Sequence, residues 1–369
     1  MESSQATRYT RFQRIILLSA FFVPAGLLYF FQKLDWSSSF SQYSLHLARS
    51  YYAGLLFYWS VVHLGLTLAL LAINAAAYGL DRHYKLARQS YRSWLGDYFK
   101  RRLINWLVTS IGVLWFYSAV RYSPERWHLL FWPAIILFYA AVLLLLDSVF
   151  LPFFFKVVPL ESGEIFERLS SLAARAGISR PKFAVVQVGH KTARSNALVT
   201  GVAGRYRILI TDTVLATFTA EEIEAVVAHE IGHQVKHHTT TRLLFLAGIY
   251  YVPLWGAHLV LPDLVSDLPN FAYLPYLFIF MWVVSLYMSI ASGVFTRAQE
   301  TAADRFGWKL TGNVSAFVSM MRKLAEQNLM PTKRVLASHP AVEARIQAAE
   351  KFLQQQQPAA SAASAGPSA

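Results

Sequence analysis

At 369 residues, with 55% hydrophobic and only 15% charged residues and a mean hydropathy of +0.35, the chain is too apolar for a soluble domain of its size and reads as embedded in a bilayer. Its formal net charge of +13 does not point to nucleic acid, because Lys and Arg gather between apolar runs, where loops meet an anionic cytoplasmic leaflet. The chain has no cysteine, which excludes disulfides, thiolate ligands and cysteine nucleophiles and leaves His and carboxylate side chains to hold any transition metal.

Six apolar stretches, each near the ~20 residues that a ~30 Å hydrocarbon core requires, are expected at 15–31, 54–78, 103–120, 129–150, 243–261 and 271–295. The first follows Arg8, Arg11 and Arg14 like a signal peptide, but Leu, Tyr and Phe continue beyond Val23-Pro24-Ala25-Gly26, so it is read as a retained span. Between the second and third spans lies a loop with Arg82, Lys85, Arg88, Arg92, Lys100, Arg101 and Arg102, which the positive-inside rule makes cytoplasmic. The loop before the second span has only Lys33 and Arg49, and 262–270 has Asp263 and Asp267 without a basic residue, so both face outward. The N-terminus, residues 156–242 and the C-terminus then fall in the cytoplasm. Asp147 and His63, which fall within spans, receive no role.

From Pro159 the composition turns soluble. A helix is expected over 161–176, ended by Gly177, and short β-branched or aromatic runs at 183–188, 197–200 and 206–210 predict a small sheet. Thr219-Ala220-Glu221-Glu222 has the form of a capping box and starts the next helix. Helix continues over 299–310, amphipathic stretches follow at 314–327 and 341–353, and a Gln-, Ala-, Ser- and Pro-rich tail is expected to be disordered. The fold class is mainly α: a polytopic α-helical membrane protein with about six transmembrane helices and a small α+β domain. Its parts are a membrane region at 1–155, a catalytic domain at 156–242, two further spans at 243–295, the remainder of the catalytic domain at 296–353 and the tail at 354–369.

The capped helix carries His229-Glu230-Ile231-Gly232-His233. Histidines four apart on a helix project from one face and can grip one metal ion, while Glu230, about 100° round from His229, can reach a water at that ion without binding it. Gly232 lets neighbouring backbone or substrate approach closely. Downstream, Glu300-Thr301-Ala302-Ala303-Asp304 offers Glu300 as third ligand and Asp304, one turn on, as acceptor for the free N–H of a ligating imidazole. His237 and His238 do not have the spacing of a further ligand and stay outside the ligand set.

The helix motif, the Glu-x-x-Ala-Asp, Ser195-Asn196-Ala197, and Ser338-His339-Pro340 with Arg345 together resemble the type I CAAX prenyl endopeptidase family of membrane zinc metalloproteases. Leu95-Gly96-Asp97 and Pro159-Leu160-Glu161 extend the resemblance, which spans about 54–353. It implies one zinc ion held by His229, His233 and Glu300, with Glu230 as catalytic base. It implies Asn196 on an edge strand that pairs with the substrate backbone, and His339 and Arg345 facing the scissile carbonyl or the C-terminal end of the peptide. Substrates would be C-terminal peptides bearing a prenyl group, or hydrophobic ones, cleaved at a bacterial plasma membrane, or at the endoplasmic reticulum in a eukaryote. Eukaryotic members of that family have seven spans rather than six. A quality-control protease for membrane proteins would use the same residues, and a channel or transporter would leave them without hydrolytic use.

Overall fold

The computed structural model describes residues 4–178, 181–202, 205–334 and 339–364. The chain begins with α1 (Ser4–Lys33), α2 (Trp36–Ala48) and α3 (Tyr51–His83). The segment of α2 was expected to be a loop. It is a helix whose polar side faces inward: Ser37, Ser41 and Ser44 are buried, and Ser37 bonds to Tyr58 and to the Ala272 carbonyl. Hydrophobic periodicity misses such a helix because its buried stripe is made of serines. His63 in α3 is buried, with Nε2 3.2 Å from the Arg102 carbonyl and its ring edge-on to Trp59, which makes it a packing residue.

Next come α4 (Tyr91–Tyr122) and α5 (Trp127–Leu145), the latter passing through a π turn (Leu146–Phe150) into the short α6 (Leu151–Phe154). The Asp147 side chain, on the π turn, lies outside the described residues. Leu64 and Leu68 of α3 and Ile111 of α4 remain exposed, an apolar surface that lipid would cover.

The soluble part has β1 (Lys156–Pro159), α7 (Glu164–Arg175), β2 (Lys182–Gln187), β3 (Ala197–Val202), β4 (Arg205–Thr211), α8 (Asp212–Thr217) and α9 (Ala220–Val235). Among the described residues the sheet has four strands in the order β1-β2-β4-β3, with β2 and β4 parallel and both outer pairs antiparallel. Strand β1 was not foreseen, since four residues between a membrane helix and a Pro carry too little pattern to register. Leu169 and Leu172 of α7, Ile208 and Ile210 of β4, and Ile223, Val227 and Ile231 of α9 form one core.

The chain returns as α10 (His238–Leu264) and, after a 3₁₀ turn at Phe271–Tyr273, as α11 (Leu274–Thr311). With these, six helices among the described residues are long and apolar enough to cross a membrane. α11 is continuous across the expected boundary at 295, so one helix joins the bilayer to Glu300. Glu300 lies about 39 Å along it from Leu274, beyond a ~30 Å hydrocarbon core. α12 (Val314–Gln327) and α13 (Val342–Ser364) complete the chain. α13 runs to Ser364, so the tail expected to be disordered from 354 is helical over that reach, consistent with the good helix propensity of Gln and Ala.

Two connections tie the membrane part to the sheet. Residues 86–88 pair with the stretch before β3: Ala193 N–H donates to the Leu86 carbonyl at 2.9 Å and Arg88 N–H to the Lys191 carbonyl at 2.8 Å. Lys191 Nζ reaches Asp97 Oδ2 of α4 at 2.8 Å, and Arg194 reaches Asp81 of α3 at 3.1 Å, which also accepts from Tyr9 of α1 at 2.7 Å. The basic loop read as facing lipid headgroups thus also anchors the approach to β3.

Candidate active site

Helix α9 begins with the capping box expected from the sequence: Thr219 accepts from the Glu222 N–H at 3.3 Å, and Glu222 accepts from the Thr219 N–H at 2.9 Å. Glu222 is buried and also holds Lys323 at 2.5 Å and Ser319 at 2.6 Å, both on α12. Burial alone would raise its carboxyl, but Lys323 and Ser319 outweigh burial and hold it below the usual carboxylate value. These bonds fix the start of α9, and the apolar residues along its length fix its rotation in the core.

The helices that carry His229, His233 and Glu300 meet at glycines. A Cβ on Gly232 would stand 3.1 Å from both Cα and O of Ala303, and one on Gly307 would stand 3.3 Å from the His229 backbone nitrogen. The close neighbour of Gly232 is therefore the backbone of α11, which brings Glu300 and Asp304 over His229 and His233. His229 Nε2 and His233 Nε2 lie 3.2 Å apart, and Glu300 presents Oε2 at 3.5 Å from the first and Oε1 at 3.3 Å from the second. A tetrahedral ion with ~2.0–2.1 Å bonds to nitrogen and oxygen separates its ligand atoms by about 3.3 Å, so these three donors have the spacing that one ion requires. Among the described residues they form the one His and carboxylate group close enough for this. A two-His, one-carboxylate set leaves a fourth position open, the arrangement of catalytic rather than structural sites.

Behind the ligands the ring orientations are fixed. His229 Nδ1 lies 2.8 Å from Asp304 Oδ1, which keeps its proton on Nδ1 and frees Nε2. Asp304 is buried and gripped by Arg345 through Nε at 2.8 Å and a terminal nitrogen at 2.6 Å. Burial lowers the His229 imidazolium, but its hydrogen bonds to the Asp304 and Glu300 carboxylates outweigh burial and push the group up to about 9. His233 Nδ1 lies 2.8 Å from His238 Nδ1. His238 is buried and supports a ligand from behind, while His237 is exposed at the left-handed residue before α10. His238 acts through the chain reversal after α9, a contact that spacing along one helix does not reveal. Gln299, which was not foreseen, donates to the His238 carbonyl at 3.2 Å.

On the open side, His339 Nδ1 lies 2.7 Å from Glu300 Oε2 and its side chain is 42% exposed. Ser338, part of the same motif, lies outside the described residues. The Arg345 side chain is only 10% exposed and spends two nitrogens on Asp304; its remaining terminal nitrogen is 3.9 Å from Glu300. Arg345 thus lies mainly behind the donors, where the family resemblance implied a residue facing substrate. Burial pushes the Glu230 carboxyl up, against the pull of the two histidines, and the Val199 N–H of β3 faces it. Asn196 is exposed one residue before β3, the outer strand of the sheet. The structure thus gathers His229, His233, Glu300, Asp304, His339 and Arg345 at one place and sets Glu230 between them and β3.

Comparisons with known proteins agree. The chain is 29% identical over 306 residues to the uncharacterized metalloprotease YhfN of Bacillus subtilis, covering 79% of this chain and 72% of that one. Over 96 residues it is 38% identical to CAAX prenyl protease 1 of Saccharomyces cerevisiae, covering 26% of this chain and 21% of the yeast protein. Its fold matches the crystal structure of Ste24p from S. mikatae with a TM-score of 0.77 at 20% identity, over 92% of this chain and 85% of that one. Residues 159–353, which include every donor named above, match the family model for Peptidase family M48. The chain is a metallopeptidase and belongs to peptidase family M48.

Proposed function

We propose that this metallopeptidase holds one zinc ion between His229, His233 and Glu300 and cleaves hydrophobic or prenylated C-terminal peptides of the CAAX type at the cytoplasmic face of a membrane. The observation that carries the reading is the 3.2–3.5 Å spacing among the two histidine Nε2 atoms and the two Glu300 carboxylate oxygens, with Glu230 between them and an edge strand. The zinc preference follows from two imidazoles and one carboxylate in a compact open site. The membrane helices make a lipidated or apolar substrate physically sensible, and the basic loop supports the cytoplasmic side.

When bound, zinc supplies Lewis acidity, lowering the pKa of a coordinated water toward about 7 and polarising the scissile carbonyl. Glu230 accepts a proton from the attacking water and returns it to the leaving amine; a carboxyl raised by burial is suited to both steps. Asp304 holds the His229 proton on Nδ1 throughout, and Arg345 keeps Asp304 ionised and in place. His339 directs Nε2 toward the substrate carbonyl oxygen, because Nδ1 is engaged with Glu300. The peptide lies beside β3 as an added strand, with Asn196 contacting its backbone.

Mass spectrometry of products from prenylated and unprenylated versions of one C-terminal peptide, with Glu230→Gln as inactive control, tests the reading. Cleavage near the lipidated residue, faster with the lipid, supports it. Equal cleavage of both peptides, with faster turnover of an unfolded membrane protein, would replace CAAX processing with quality control. Metal analysis of the purified protein tests zinc. Since the chain has no cysteine, single cysteines introduced at Lys236 and Asp263 report the membrane side by labelling in intact cells.

A further inference from the structure

An antiparallel strand alternates its backbone groups, with one residue bonded to its partner strand and the next pointing away. In β3 the even residues face β4: Thr211 N–H donates to the Asn196 carbonyl at 3.1 Å, which sets the phase of the register Ala197↔Ile210 and Val199↔Ile208. The odd residues Ala197, Val199 and Gly201 point to the free edge, as does Ser195 just before the strand, and two of these, Ser195 and Val199, are already engaged. At Ser195, just before β3, the Asn328 side chain accepts from the N–H at 3.1 Å and donates to the carbonyl at 3.1 Å, as a neighbouring strand would. Ser195 Oγ adds a bond to Gln327 at 2.8 Å. At Val199 the carbonyl accepts from Gln234 Nε2 at 3.1 Å and the N–H faces Glu230. Between these two engaged residues stands Ala197.

We propose that between Ser195 and Val199, the stretch beside Glu230, β3 offers a substrate backbone one residue, Ala197, and that the Asn328 side chain sets this limit by occupying the place of a paired strand at Ser195. The inference deepens the reading of β3 as the substrate strand and rests on it. Its chemical consequence is a recognition mode with two main-chain bonds at one position beside Glu230, rather than a ladder of several. Selectivity must then come from side chains and any attached lipid. The peptide class that fits is one gripped briefly near the scissile bond, since a long extended segment would have to displace Asn328. Asn328 is the C-cap of α12, so the limit is set from the end of that helix.

The test is a scan of single N-methylated backbone positions along a peptide that the full-length enzyme cleaves, read as kcat/KM. With the native enzyme, one position is expected to lose about 10-fold or more, the loss that follows when a buried carbonyl is left without its donor. With Asn328→Ala, a second sensitive position should arise two residues from the first, because the Ser195 groups become available. A merely structural role for Asn328 would lower all rates together and add no position. Two sensitive positions two residues apart in the native enzyme, or none added by Asn328→Ala, would overturn the limit. No sensitive position at all would overturn the edge-strand reading itself, a distinct result. Should Asn328→Ala fail to fold, Asn328→Ser serves with the same expectation.

Discussion

Gly232→Ala tests why two helices from different parts of the chain can share one ion. The added Cβ would meet Cα and O of Ala303 at 3.1 Å and Cδ1 of Phe306 at 3.2 Å. Phe306 can turn aside, but Ala303 is helix backbone between Glu300 and Asp304. Reaching ordinary contact near 3.5 Å requires α9 and α11 to part by about 0.4 Å, twice the ~0.2 Å tolerance of metal–ligand distances. Alanine gains about 1 kcal/mol of helix propensity over glycine, whereas overpacking a rigid contact costs about 1–3 kcal/mol, so strain prevails. The expected outcome is a lower melting temperature and metal affinity reduced roughly 10–100-fold, the range for disturbed ligand support. Chelator competition and thermal melting measure both. Native metal affinity and native turnover in Gly232→Ala would refute the argument that this backbone contact sets the ligand geometry.

Glu230→Gln should keep its metal while turnover falls about 10²–10⁴-fold, as the loss of a general base demands; full activity would remove Glu230 from that role. Metal-free protein should release about one proton on binding zinc near pH 7, since His229 there holds its proton up to about 9. The release, read by calorimetry in buffers of different ionisation enthalpy, should fade above pH 9. The sign carries over to stability: a histidine raised from 6.5 to about 9 stabilises the metal-free fold fully below pH 6.5, and the contribution is lost as pH rises through about 9. Glu222→Gln should cost about 1–3 kcal/mol, seen as a lower denaturation midpoint. Because the Glu222 carboxyl lies below its usual 4.5, its contribution is present above that pH and lost as pH falls through the folded value, so the variant should show a flatter acid limb.

The His229, His233 and Glu300 cluster and the capping box were legible in the sequence because each depends on spacing within one helix or on a short motif. Asp304 was legible for the same reason, one turn from Glu300. What escaped were contacts between elements distant in sequence: Asn328 on Ser195, and the Asp81, Arg194 and Tyr9 cluster that moors the approach to β3. Such pairs leave no periodic trace. Helix α2 escaped for a different reason, since serines line its buried side and a hydrophobic pattern reads it inside out. Arg345 shows the limit of a family resemblance: the motif drew attention to the residue, while only the coordinates show its guanidinium clamped on Asp304.

The unbroken course of α11 from Leu274 to Thr311 gives the bilayer a mechanical hold on hydrolysis. A rigid rod anchored in lipid cannot change its tilt without swinging its far end, where the acidic ligand is mounted. A change in lipid thickness that altered this tilt would therefore move Glu300 relative to His229 and His233, through leverage that a helix broken at the membrane surface would lack.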